Sequence, residues 1–475
     1  MPTDPRGLRE EAPLLDAWLR FQEAPPTPFT IPGHKQRDDL VGDVVAGDVP
    51  LYAGLDTMKL TDGVLAEAEE RAAQLWGAVF CRFSTGGATH ANQAVALALG
   101  REGDEVIVSR TLHRSMLLGL VLAGLVPVWV RPEVDVATGL PLGVAPATVD
   151  RALGEHPCAR AVLVGDPSYV GTVGDVAGLA EVAHRHDVPL VVDAAWAAHF
   201  GFHPSLPRHA LQLGADVMVT SAHKTLPAWS QAAIVLARTG RVDATRLDAG
   251  VEATATTSPA GAMLASIDAA RALLARDGEQ LLDGALRAAR AARERLLAVA
   301  GLVVLDGPRV DPLKLTLVLS GTGADGNAVE QDLLAEGLPV ESADRDVIVA
   351  VVSLADTRQT LDALANAIGR SIERHRGRPR DVVAAATYRV DSETAVPPRR
   401  AFFAAAEVVP IDLATGRISA ELVAPYPPGI PVLAPGERIT EGTLTALTQA
   451  RAAGVRIAYA ADPSLRTLRV LRHQD

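Results

Sequence analysis

Between about residues 60 and 220, apolar positions along the chain follow two alternating patterns. Short runs that are apolar at nearly every position occur at 105–108, 126–130, 161–164, 189–192 and 216–220. Between them lie segments whose apolar residues recur every three or four positions. In 64–76, for example, Leu65, Ala68, Ala72 and Leu75 share one helical face. The spacing predicts further helices at 91–99, 115–123 and 176–186. Strands that are apolar on both faces and separated by helices predict a mostly parallel sheet covered on both sides, an α/β fold with right-handed crossovers. In such folds, ligand-binding residues lie at the carboxyl ends of the strands.

The flanking segments read differently. Residues 1–50 form an N-terminal arm, with a short helix at 11–21 ended by the proline-rich stretch 24–28. A long Ala/Arg-rich helix at 281–300 leads out of the main domain. The segments 313–319, 327–336, 346–352 and 357–374 then read strand, helix, strand, helix. The expected organisation is an arm (1–50), a large domain (51–290), a small α/β domain (291–378) and a C-terminal domain (379–475). The basic runs at 374–376 and 378–380 read as a solvated linker.

Composition narrows the function classes. Of 475 residues, 48% are hydrophobic and 21% charged, which is globular rather than disordered. A formal net charge of −12 argues against nucleic acid as the partner and for a small molecule. Two cysteines, Cys81 and Cys158, make neither a disulfide framework nor a metal cluster, so a reducing cytoplasm is expected. The N-terminus lacks the basic-then-apolar layout of a signal peptide, and no apolar run reaches membrane-spanning length.

The chemistry is concentrated at strand ends. Asp193 closes the run 189–192, and Lys224, in Ser221-Ala222-His223-Lys224-Thr225, follows the run 216–220. A lysine amine and a carboxylate so placed suit pyridoxal 5'-phosphate: the amine forms a Schiff base with the aldehyde, and the carboxylate keeps the pyridine nitrogen protonated. Gly86-Gly87-Ala88-Thr89 opens a helix, where close backbone approach and free N–H groups favour a phosphate dianion. Ser221 and His223 suit the same phosphate. His113, just past the run 105–108, is placed to stack on the ring, and Asp166-Pro167-Ser168-Tyr169, after 161–164, to shape the pocket beside it.

Together these stretches resemble the prokaryotic ornithine/lysine/arginine decarboxylases in their short form. The likeness rests on Ile31-Pro32-Gly33-His34-Lys35, Gly54-Leu55-Asp56, 72–77, His113-Arg114-Ser115, Asp193-Ala194-Ala195-Trp196, Ser221 to Leu226, Thr256-Thr257-Ser258-Pro259, Ala265 to Arg271, and Pro425 to Pro431 followed by Pro435-Gly436-Glu437. It implies fold type I, with a seven-stranded-type sheet, a small domain and a C-terminal domain. It also implies Lys224, Asp193 and His113 as catalytic residues, with Ala88, Thr89, Trp196, Ser221 and His223 around the cofactor. Thr257 and Ser258 would reach the phosphate of a neighbouring subunit, making a homodimer or larger homo-oligomer with shared sites. Three positions depart from the family pattern: Ala88 where a hydroxyl is frequent, Trp196 where many short members have His, and Ala260-Gly261 where a bulkier residue is usual. The implied reaction is α-decarboxylation of arginine, lysine or ornithine to an amine for polyamine biosynthesis. Glu421, just before the proline-rich motif, is the candidate for holding the substrate's side-chain cation. The competing readings are another fold-type-I reaction, such as transamination, and a catalytically idle cofactor-binding relative.

Overall fold

The structure, a computed structural model, describes residues 3–24, 32, 34–35, 37–45, 47–49, 63–238, 240–381, 390, 393–426, 430–452 and 455–472. Ile31, Gly33, all of Gly54-Leu55-Asp56, and Pro427 to Gly429 lie outside them. The chain divides into two compact units, one made of 1–98 and 193–282, the other of 99–192 and 283–475.

In chain order the elements used below are α1 (Pro13–Glu23), α2 (Val64–Trp76), β1 (Phe80–Ser84), α3 (Gly87–Leu99), β2 (Glu105–Ser109), α4 (Arg114–Ala123), β3 (Val126–Val130), α5 (Pro146–Glu155), β4 (Val162–Gly165), α6 (Val176–Arg185), β5 (Leu190–Asp193), β6 (Val217–Ser221), α7 (Ala222–Thr225), β7 (Ala233–Ala237) and α8 (Gly261–Leu297). Beyond α8 come β8 (Val303–Val304), β9 (Lys314–Val318), α9 (Gly326–Ala335), β10 (Ser342–Ala343), β11 (Val347–Val351), α10 (Arg358–Arg374), β12 (Ala406–Pro410) and β15 (Thr467–Leu471), with β13 (Ala424–Tyr426) and β14 (Arg456–Ala458) between the last two. The expected α/β architecture is present. A seven-stranded sheet runs β1-β7-β6-β5-β4-β2-β3. β2 is parallel to β3 and β4, and β7 is antiparallel to both β1 and β6. β5, β6 and β7 are buried at every position, which is why they read as continuous apolar runs.

In the first unit, α2 spans the predicted 64–76 and stops at Gly77, whose φ of +65° is the left-handed value favoured at a helix end. Trp76 is 1% exposed. β1 is not legible as a strand because Arg82 interrupts it. The Arg82 guanidinium is paired with Asp248 at 2.7 Å and Glu69 at 3.2 Å, which permits a charge in a half-buried strand. The N-terminal helix, two residues later than expected, is tied at its start by Leu14 N–H donating to the fully buried Asp268 at 2.9 Å.

In the second unit, the predicted strand-helix-strand-helix is β9, α9, β11 and α10, with β8 and β10 completing the sheet order β8-β9-β11-β10. α10 starts on a capping box in which Thr357 and Thr360 exchange side-chain and backbone bonds. In the basic runs Arg374, Arg376 and Arg378 are exposed, as a solvated segment would be, while Arg374 pairs with Asp332 at 2.7 Å. Arg380 is docked: it pairs with Asp346 and donates to the Gly323 and Ala324 carbonyls. That last anchor depends on turns distant in sequence, which local composition does not reveal. The C-terminal region has its own core of Ala414, Val423, Val432, Leu433, Ile439, Leu447, Leu468 and Val470.

Candidate active site

The carboxyl ends of β5 and β6 carry the two residues around which the chemistry was expected. Asp193 ends β5 at 7% exposure. Its Oδ2 accepts from Asn92 Nδ2 at 2.8 Å and its Oδ1 from the Ala195 N–H at 3.2 Å. Among the described residues it forms no ion pair. A buried carboxylate served by two neutral donors is a site prepared for a cation. The strand end is fixed by Ala194 N–H donating to Val219 O at 2.8 Å and by Thr220 Oγ1 donating to Ala194 O at 2.9 Å.

Lys224 stands in the single turn α7 that follows β6 directly. Its Nζ lies 4.0 Å from the centroid of the Trp196 ring. An ammonium over an indole face is attracted by the ring quadrupole. Ser221, just before α7, is fully buried, and its Oγ has no partner among the described residues; the Thr225 Oγ1 is in the same state. Buried hydroxyls are normally satisfied, so Ser221 calls for a polar group brought by a ligand. His223 Nδ1 lies 2.8 Å from the Ala232 carbonyl, which can only accept, so Nδ1 carries the proton. Burial pushes the His223 imidazole below its ordinary 6.5, with a smaller opposing effect from that carbonyl.

The glycine-rich turn lies between β1 and α3. Gly87 has φ +71° and donates its N–H to Gln231 O at 2.7 Å. A Cβ on Gly86 would fall 2.7 Å from the Cβ of His90, so the close turn requires glycine there. His90 braces it from below. Its Nε2 faces the Val251 carbonyl at 3.2 Å, so its Nδ1 accepts, at 2.7 Å, from the Ser84 hydroxyl. Ser84 Oγ in turn accepts the Gly86 N–H at 3.3 Å. Burial lowers the His90 pKa, so the imidazole stays neutral and this tautomer holds. Because α3 begins at Gly87, Ala88 and Thr89 sit in its first turn, where backbone N–H groups are free for an anion. The turn, the bare Ser221 hydroxyl and the buried Asp193 fit a group that is a phosphate at one end and a protonated ring nitrogen at the other. Thr257 and Ser258 are exposed in the loop before α8.

In the second unit, His113 is exposed and caps α4, its Nδ1 accepting the Ser115 N–H at 3.3 Å. Just before it, Arg110 is 4% exposed and forms a bidentate pair with Glu437, 2% exposed. It also donates to Val432 O at 2.7 Å and covers the Trp129 ring at 4.6 Å. Glu437 of the Pro435-Gly436-Glu437 motif thus fastens the C-terminal region to the loop that carries His113. Asp166, at the end of β4, accepts the Gly174 N–H at 2.5 Å, and burial raises its carboxyl from 3.8 to about 7.

Glu421 is 6% exposed, and its two oxygens accept the backbone N–H groups of Ala461, at 2.7 Å, and Arg469. Those bonds tie the strand entering β13 to β15 and to the segment after β14, so the carboxylate also serves as an internal brace. Asn92, His90 and Arg110 were not singled out from the sequence. The one available signal was polar residues on the otherwise apolar, Ala-rich helix 91–99.

The family described as Orn/Lys/Arg decarboxylase, major domain, matches residues 12–306, and that family's C-terminal domain matches 382–454. The arginine decarboxylase of Halalkalibacterium halodurans is 33% identical, covering 98% of this chain and 99% of its own. The arginine decarboxylase of Bacillus subtilis is 32% identical with the same coverage. The crystal structure of the Francisella novicida lysine decarboxylase superposes with a TM-score of 0.80 at 19% identity, covering 97% of this chain and 81% of that one, which shows the shared fold. With a lysine and a carboxylate at adjacent strand ends, and these matches over nearly its whole length, the chain belongs to the Orn/Lys/Arg decarboxylase family, amino-acid decarboxylases of fold type I that work with pyridoxal phosphate.

Proposed function

We propose that this chain removes the α-carboxylate of arginine in preference to lysine or ornithine, releasing CO2 and the corresponding amine. The observation that carries the choice is the relatives named arginine decarboxylase, 31–33% identical over 97–98% of the chain. Bound pyridoxal phosphate supplies the sink for the electron pair left on Cα when CO2 departs. Lys224 would hold the cofactor through its amine and return a proton at Cα from Nζ. Asp193 keeps the proton on the ring nitrogen; its burial makes that ionic contact stronger than it is in water. His113 stacks on the ring, and Trp196 flanks Lys224 and excludes water from its amine. Ala88 and Thr89 N–H groups and Ser221 Oγ hold the phosphate, with His223 beside them. The exposed Thr257 and Ser258 reach the phosphate of a second copy of the chain, in a homodimer of cytoplasmic location serving polyamine synthesis.

A screen of CO2 release from arginine, lysine, ornithine and the other amino acids tests this reading. Arginine turnover well above the other two supports it. Keto acid without CO2 would establish transamination, and a cofactor-loaded protein that turns over no amino acid would establish an idle relative.

A further inference from the structure

Helix α3 follows the glycine turn and packs mainly small apolar residues, among them Ala91, Ala94, Val95, Ala96 and Ala98, all buried. Asn92 interrupts that face at 0% exposure. A buried amide is unfavourable in a core unless its hydrogen bonds have a purpose, and alanine or leucine would satisfy the packing. Asn92 spends an N–H on Asp193 Oδ2, 101 residues away in sequence, at 2.8 Å. The carboxylate's second donor is the Ala195 backbone N–H at 3.2 Å.

We propose that Asn92 is a positioning residue: it fixes the rotation of the Asp193 carboxylate, so that the free face of that carboxylate meets the cofactor's ring nitrogen. This rests on the reading of Asp193 as that nitrogen's partner. The residue type matters. A neutral N–H donor on one oxygen holds the carboxylate in a single orientation. An arginine or lysine at this position would do so more strongly, but it would also neutralise the charge that the ring nitrogen needs. An amide donates without competing as a cation. The same helix carries His90, which braces the phosphate turn through Ser84. α3 therefore sets both ends of the cofactor's seat from one rigid element, which fixes the distance between them.

The test uses full-length protein stripped of cofactor and titrated with pyridoxal phosphate or with its 1-deaza analogue, which has carbon in place of the ring nitrogen. Wild type should prefer the native cofactor. Asn92→Leu, close in volume but without a donor, should lose about tenfold or more of its affinity for pyridoxal phosphate, the effect of one hydrogen bond to a charged group. Its affinity for the deaza analogue should stay within about threefold, since that ligand makes no use of the Asp193 charge. Asn92→Asp is isosteric and places like charges together, so it should show the same selective loss, larger in size, if the leucine variant folds poorly. Equal losses for both ligands, or an unchanged preference for the native cofactor, would overturn the proposal by making Asn92 a packing residue. A wild type that does not distinguish the two ligands would instead overturn the role of Asp193.

Discussion

Asp166→Asn should stabilise the protein in alkali and leave it nearly unchanged in acid. Asp166 is 9% exposed, and its compensation in the fold is the Gly174 N–H at 2.5 Å. Burial raises its carboxyl from 3.8 to about 7, against the smaller lowering effect of that hydrogen bond. Between those values the folded protein holds a proton that the unfolded chain has released. Folding therefore loses stability as pH rises through the window, and the cost is complete above about 7. At about 1.36 kcal/mol per tenfold the full cost is roughly 4 kcal/mol, of which a little over a third is already incurred at pH 5. Asparagine keeps an oxygen for Gly174 and never ionises. The advantage of the variant in urea unfolding should therefore grow by roughly 2–3 kcal/mol between pH 5 and pH 8. Both proteins are measured as holoenzyme, with the denaturant slope unchanged. An advantage of equal size at the two pH values, or a variant weaker than wild type at pH 8, would refute the idea that an ionised Asp166 is what the fold resists.

Lys224→Ala should still bind pyridoxal phosphate through the phosphate turn and Asp193 but lose turnover, and borohydride treatment of wild type should leave the pyridoxyl mass on Lys224 in peptide maps; label on another lysine would sink the assignment. Asp193→Asn should fold normally and lose about 10²–10⁴-fold in kcat, the range for removing a preorganised electrostatic partner; near-normal turnover would make Asp193 a strand-end cap. Glu437→Gln should cost about 3–5 kcal/mol by leaving the Arg110 charge buried and half-paired, read as a lowered thermal midpoint, and a change under 1 kcal/mol would contradict the buried-pair reading. His209, 2% exposed, is pushed from 6.5 to about 4 chiefly by burial, so it is neutral in the fold and contributes stability that is lost as pH falls from 6.5 towards 4, roughly 3 kcal/mol in all; His209→Gln should flatten that part of the acid unfolding profile.

The apolar patterning alone determined the alternation of strands and helices that forms the parallel part of the sheet, because a strand buried on both faces has no polar position to disguise it. β3 and α2 were legible to the residue, and β5 and β6 to within one. The spacing of Asp193 and Lys224 after two such strands determined the cofactor chemistry, since residues closing adjacent parallel strands share one edge of a sheet. Tertiary structure decided what depends on partners distant in sequence. β1 exists because Glu69 and Asp248 neutralise Arg82 in its middle, and Arg380 is docked because carbonyls and a carboxylate of other turns receive its guanidinium. Glu421 reads as an exposed acid beside a motif, yet it folds into a buried brace once Ala461 and Arg469 reach it. Asn92 and His90 look like imperfections in an alanine-rich helix until Asp193 and Ser84 arrive beside them. A single sequence shows which side chains can be buried only through partners it does not display, so the buried strands and the lysine that follows β6 were visible in it while the polar groups beside them were not.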